Sequence, residues 1–378
     1  MTLNDASSAD ATPDDMTRDG TARATREEIA HANQAHWRAM STTRLLDCGM
    51  AYADVGELQR QTDGGTAWDR ACEAIGVARR NAGDAAAAAG NSITAAHQFG
   101  WAAAGFLFAQ MANNFDTDRK RELYDRFTEA VQRLATVSSN PLTRVEVPVG
   151  DGRLVGWHMR PAGREPIGTV ILFGGQSGWG ATYLRNAEAL AQRGIATLLA
   201  EGPGQGESRM RYGIHLDVDV ADAFGRFVTA ALDDVDAPVG IWGNSVGGLF
   251  AALTAAADAR LAACCVNGGF AAPRLLSFRT FAEQAAAMLG TTDEAAIEAN
   301  FKRLRFDPST HSIDVPLLVI HGGADPLVAL ADQQPFLEAA ADATLQQWDD
   351  GDHTVYNHGD ERNDLVADWF AEVFTRTR

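Results

Sequence analysis

The run Gly243-Asn244-Ser245-Val246-Gly247 has the form G-x-S-x-G, and its surroundings give it chemical meaning. It follows the β-branched run VGIW (239–242) and precedes GGLFAALTAAA, small and apolar with helical character. Between a buried strand and a helix, such a run makes a strained turn that lifts the serine hydroxyl above the sheet edge. The glycines let strand and helix pass closely, and the helix N-terminus turns its partial positive charge toward a developing anion. A serine hydroxyl is a weak nucleophile until a base takes its proton and an acid orients that base. In this architecture the chain order is serine, acid, histidine. Asp325, in HGGADPL after the run PLLVIH, and His353, in the loop DDGDH after TLQQW, supply that order. Both follow predicted parallel strands at their carboxyl ends, where sites collect. Asp349, Asp350 and Asp352 are alternative partners for His353, and His358 is an alternative base that reads better as a surface residue. His321 ends a core strand and reads as structural, while His31, His36 and His97 carry no catalytic signal.

Attack on a carbonyl also needs N–H groups aimed at the oxyanion. One is expected from Val246. The other belongs to the loop Gly174-Gly175-Gln176-Ser177-Gly178, with Gln176 as the expected donor and Gly175 next. The run EGPGQGES (201–208) lacks the third glycine of a dinucleotide fingerprint and follows the wrong strand, so it reads as a turn beside the site, with Gln205 as its one residue that could reach the pocket. No organic cofactor and no metal is expected, because the spacing of the four cysteines and nine histidines offers no ligand cluster.

These groups need elements to position them. From Asn140-Pro141 onward, 143–149 and 153–159 read as a hairpin, and TVILF (169–173), ATLLA (196–200), VGIW, LAACCV (261–266) and PLLVIH (316–321) read as short strands separated by helices. That alternation predicts an α/β fold with a parallel, doubly wound sheet. Residues 141–378 form the expected catalytic domain, with a helical insertion at about 270–310. Before it, residues 25–140 are helical throughout, opened by the capping box Thr25-Arg-Glu-Glu28 and holding four or five helices. The segment 92–112 is apolar almost all round, so it is expected to be buried, to roof a site, or to form a dimer face. Residues 1–24 are expected to be a disordered polar tail. The net charge of −18 argues against nucleic-acid and membrane partners and leaves a small molecule as the expected one. With no apolar leader, a cytoplasmic location is expected. Adjacent Cys264 and Cys265 in an apolar run read as small core residues.

The segments FGGQSGWG, EGPGQGES, GNSVGG, NGGF, HGGAD and GDHTVYN resemble the α/β-hydrolase group that includes 2,6-dihydroxypseudooxynicotine hydrolases, FrsA-like esterases and fungal polyketide-shortening hydrolases. The similarity runs from about Thr25 to the C-terminus, and SITAAHQFGWAAAGFLFAQM looks like the group's cap helix. It implies an α/β-hydrolase fold with an N-terminal helical cap over the active site, nucleophile Ser245, acid Asp325 and base His353. It also implies hydrolysis of a carbon–carbon bond next to a ketone, or of an ester or lactone; a non-catalytic binding homologue is a third reading. The sequence departs from the group at Glu201, usually Asp, at Tyr356, where the nicotine-pathway enzymes have histidine, and at Arg279, near the place of a carboxylate. Those departures imply a neutral or anionic aromatic or polyketide-like substrate. Trp179, Tyr183, Phe270, Trp101 and Phe106 are the expected pocket lining.

Overall fold

The structure, a computed structural model, describes residues 24–216, 219–276 and 278–377; the expected tail falls almost wholly outside them. Six helices come first, α1 (Arg26–Ala39), α2 (Thr42–Asp47), α3 (Tyr52–Asp63), α4 (Trp68–Ala88), α5 (Ser92–Met111) and α6 (Asp118–Ala135), rather than four or five. Thr25 and Glu28 form the capping box of α1. Between α1 and α3 the chain breaks twice: Ser41 caps α2 by accepting the Arg44 N–H, and Gly49 ends it at φ +91°. A left-handed residue costs glycine little, so this break needs no compensation.

Helix α5 lies between α4 and α6 and is buried over most of its length, including Phe99, Ala102–Ala104 and Phe106–Met111. At its crossing with α4 the backbones almost touch, because a Cβ on Gly105 would fall 2.7 Å from the Gly76 nitrogen. Much of its apolar surface is thus packed inside the chain, with Ile93 near its start left exposed.

The remainder is an eight-stranded sheet in the order β1-β2-β4-β3-β5-β6-β7-β8. The strands are β1 (Leu142–Val149), β2 (Gly152–Met159), β3 (Thr169–Phe173), β4 (Ala196–Glu201), β5 (Val239–Asn244), β6 (Leu261–Asn267), β7 (Leu317–Gly322) and β8 (Ala343–Trp348). The first hairpin is antiparallel, β2 joins β4 antiparallel, and every pairing from β4 to β8 is parallel. Strands β3, β4, β5 and β7 are buried along their whole length because helices cover both sheet faces. One face carries α7 (Leu184–Gln192), α14 (Gly359–Arg376) and the cap; the other carries α9 (Val220–Asp234), α10 (Val246–Ala257) and α13 (Leu330–Glu338). The short α8 (Gly206–Met210) follows β4, and α11 (Arg279–Leu289) and α12 (Glu294–Arg303) form the insertion after β6. Cys264 and Cys265 are buried, unbridged core residues of β6. No helix among the described residues is long and apolar enough to cross a membrane.

Candidate active site

Ser245 sits between β5 and α10 at φ 57°, ψ −132°, a conformation that costs a non-glycine residue about 1–3 kcal/mol. Its neighbours hold it there. The Ser245 N–H donates to the Asn267 carbonyl at 2.8 Å, and its carbonyl accepts from Gly248. A Cβ on Gly247 would lie 2.5 Å from the Gly174 carbonyl oxygen, so only glycine lets the elbow press against the loop after β3.

His353 Nε2 is 2.9 Å from Ser245 Oγ, and its Nδ1 is 2.8 Å from Asp325 Oδ2. The Asp325 side chain is 1% exposed, and its Oδ1 accepts the N–H groups of Leu327 and Val328 at 2.8 and 3.2 Å. A carboxylate fixed as an acceptor on both oxygens places the imidazole proton on Nδ1 and leaves the Nε2 lone pair facing the serine. None of the alternative groups takes these places. Asp352 accepts from Thr43, Asp350 pairs with His358, and Asp349 accepts from Gln347. His321 Nδ1 faces Gln333 Oε1 inside the core.

The base loop is itself strained, with Thr354 and Val355 both left-handed at φ 58° and 60°. Two groups grip the Thr354 carbonyl, Asn267 Nδ2 at 3.0 Å and Arg362 Nη1 at 2.8 Å. Arg362 is buried and paired through Nη2 with both oxygens of Asp47, in cap helix α2, at 3.0 Å. Asn267 also donates to Asn244, so one amide ties the elbow to the base loop. Sequence reading missed Asn267, Arg362 and Asp47. The asparagine in NGGF was the one available signal, since an amide ending a buried strand needs partners.

On the other side of Ser245, Gln205 Nε2 donates to the Gly174 and Gly175 carbonyls at 2.6 and 3.2 Å, and Trp179 Nε1 donates to Gly175 at 3.0 Å. In a trans peptide the N–H points away from the carbonyl, so these bonds turn the amides of Gly175 and Gln176 the opposite way. Gly175 lies against the elbow, where an added Cβ would be 3.1 Å from the Val246 nitrogen. Neither the Val246 nor the Gln176 N–H meets an acceptor among the described residues. Gln205 thus orients the loop from behind. Glu201, buried below it, accepts the Tyr124 hydroxyl from α6 and the Glu207 N–H, and burial beside Glu207 pushes its carboxyl up to about 7.

A cavity of about 20 Å³ adjoins Ser245, lined by Phe270, Ala272, Leu276, Phe281, Leu327 and the pair Arg274–Asp332. That volume holds about one water, and its walls come from the sheet loops and the insertion; the N-terminal helical region and the insertion also touch each other. Asn114 bridges them, donating to Glu283 at 2.8 Å and accepting from Gln284 at 3.2 Å. Of the five expected lining residues only Phe270 is here. Trp179 and the buried Tyr183 pack beneath the Gly174–Gly178 loop. Phe106 packs on Gly76 inside the cap. Trp101 lines a separate cavity of about 520 Å³ among α2, α5 and α7. Arg279 is also displaced from its expected role, because its side chain is 88% exposed and paired with Glu283. Loop and helix packing take Trp179, Tyr183 and Phe106, solvent takes Arg279, and Trp101 faces a different cavity. Among the described residues no group of three or more His, Cys, Asp or Glu is arranged to hold a metal ion.

Comparisons with known proteins agree with this geometry at the level of fold. Residues 164–300, which include the elbow, match the family described as serine aminopeptidase, S33. The chain is 28% identical over 281 residues, 71% of its length and 74% of the relative's, to a 2,6-dihydropseudooxynicotine hydrolase of Paenarthrobacter nicotinovorans. It is 31% identical over 220 residues, 52% of its length and 49% of the relative's, to the alpha/beta hydrolase gkaG of Penicillium citrinum. Among solved structures it resembles a 2,6-dihydroxy-pseudo-oxynicotine hydrolase at a TM-score of 0.79 and 24% identity, over 89% of this chain and 96% of the other. AbyA5 superposes at 0.61 and 19% identity, over 83% and 97%. The chain has the α/β-hydrolase fold, and it is a hydrolase.

Proposed function

We propose that this α/β-hydrolase-fold enzyme uses Ser245, His353 and Asp325 to hydrolyse a carbon–carbon bond next to a ketone in a small aromatic or polyketide-like compound. The supporting observation is the row Asp325–His353–Ser245, at 2.8 and 2.9 Å, beside two N–H groups that meet no acceptor among the described residues. Ser245 Oγ attacks the ketone carbon while His353 Nε2 takes its proton. The oxyanion lies between the N–H groups of Val246 and Gln176, where fixed donors stabilise charge more than water does. Collapse of the tetrahedral adduct breaks the carbon–carbon bond. The imidazolium, held by Asp325, gives its proton to the leaving carbon. Water, deprotonated by His353, then releases the acyl group as a carboxylic acid. The leaving carbanion needs an electron-poor ring or a second carbonyl to carry its charge, which points to acyl-phenols and β-dicarbonyl compounds. The similarity to the Paenarthrobacter hydrolase supports this choice of bond.

The test is turnover of an aryl β-diketone against a 4-nitrophenyl ester of equal size, by wild type and by Ser245→Ala. Diketone cleavage that falls about 10⁴-fold or more in the variant supports the proposal. Ester turnover alone replaces the carbon–carbon reading with an esterase. Wild-type turnover by Ser245→Ala overturns the nucleophile.

A further inference from the structure

Among the described residues Arg44 has no ionic partner. By contrast Arg79, Arg119, Arg144, Arg209 and Arg362, also drawn into the fold, each contact at least one carboxylate. Arg44 reaches from α2 to the seam between two active-site loops. Its Nη2 is 2.9 Å from Ser177 Oγ, in the residue after Gln176, and its guanidinium lies 5.6 Å from the ring centroid of Tyr356, three residues after His353. Nη1 donates to the Ala39 carbonyl at 3.1 Å, and Nε is sealed from solvent with no acceptor among the described residues. The nearby acids are engaged elsewhere, Asp47 with Arg362 and Asp352 with Thr43.

The two loops that Arg44 touches also carry Gln176 and His353. Gln176, Ser177, Ser245, His353, Tyr356 and Arg44 each keep partial exposure, while Gly175, Val246, Thr354 and Val355 beside them are buried. A partly desolvated cation without a counterion is costly unless an anion completes it. The planar fork of a guanidinium matches a two-oxygen or delocalised oxyanion. The setting makes a local cation useful, because a chain of net charge −18 repels anionic molecules at long range.

We propose that Arg44 is a substrate-binding residue that holds an anionic oxygen group, a carboxylate or phenolate, at the rim of the Ser245 site, with Ser177 and Tyr356 fixing the guanidinium. This rests on Ser245 being the reacting centre, and it narrows the substrate to an anionic carbonyl compound. The neutral remainder would then occupy the side of Ser245 lined by Phe270 and Leu276.

Binding tests it without turnover. Benzoate and benzamide are titrated into the Ser245→Ala protein, then into the same protein carrying Arg44→Met or Arg44→Gln. Benzoate should bind about tenfold or more tighter than benzamide, and either second substitution should bring the two together. The glutamine variant retains donors for Ala39 and Ser177, so it reports on charge should the methionine variant fail to fold. Kinetics give a second readout. Arg44→Gln should raise KM for mono-4-nitrophenyl glutarate about tenfold or more relative to 4-nitrophenyl pentanoate. Equal or absent binding of the two probes overturns the proposal, as does a loss in Arg44→Gln that falls equally on both. A wild type that turns over no carbonyl compound sinks the assignment of Ser245 but leaves the binding comparison decisive for Arg44.

Discussion

Replacing Asp47 by alanine should injure both stability and turnover, although Asp47 never approaches the serine. The side chains of Asp47 and Arg362 are 4% and 2% exposed, and one guanidinium nitrogen lies 3.0 Å from each carboxylate oxygen. Removing one partner of such a pair strands a buried charge and costs about 3–5 kcal/mol. At about 2.1 cal/mol/K per residue, a chain of 378 residues has an unfolding entropy near 0.8 kcal/mol/K, so the midpoint should fall by about 4–6 °C. Turnover should fall for a different reason. Arg362 also grips the Thr354 carbonyl, and Thr354 and Val355 are held left-handed at about 1–3 kcal/mol each. With the grip loosened that strain relaxes and draws His353 off Ser245, for an expected loss in kcat of about tenfold or more. Calorimetry and steady-state kinetics on Asp47→Ala read both quantities. Adding Arg362→Met should recover at least half of the lost stability, because the isolated guanidinium is the costly species, but none of the kcat. A midpoint within about 1 °C of wild type, together with unchanged kcat, would refute the coupling of cap to base loop.

Glu201 gives a pH dependence. Its carboxyl titrates near 4.5 when unfolded and is pushed up to about 7 in the fold, so below the lower value both states hold the proton and this contribution to stability is complete. Between the two values only the folded state keeps the proton, and stability falls with rising pH by about 1.4 kcal/mol per unit, roughly 3 kcal/mol in all. Glu201→Gln should flatten that slope between about pH 4.5 and about pH 7 in thermal melts, and an unchanged slope would contradict it. Phe270→Ala should raise KM about tenfold by removing a wall of the Ser245 cavity, whereas Trp101→Ala, in the separate cavity, should leave KM within about twofold. Equal effects from both would show that the larger cavity belongs to the substrate path.

Several features of this protein are local and could be read from sequence. The turn at Ser245 needs glycines at fixed offsets, a strand before it and a helix after it, and all of these are contiguous in the chain. The parallel strands are legible because each is a short, largely apolar run between helical segments, and the box at Thr25 because its two partners stand three residues apart. Asp325 and His353 were legible because each ends a strand whose direction follows from its neighbours, although four acidic residues competed until the structure put Asp325 Oδ2 at 2.8 Å from the imidazole. What tertiary structure alone decided is everything joined across the cap and the sheet. Asp47 and Arg362 stand 315 positions apart, and Arg44 and Ser177 133 apart. The pocket walls were misread for the same reason. Trp101, Phe106 and Tyr183 are apolar enough to line a site, yet only the packing of α4 on α5 and of the cap on α7 decides which space each one fills. Sequence periodicity assigns a residue to a face of its own element, and a contact depends on the second element that meets that face.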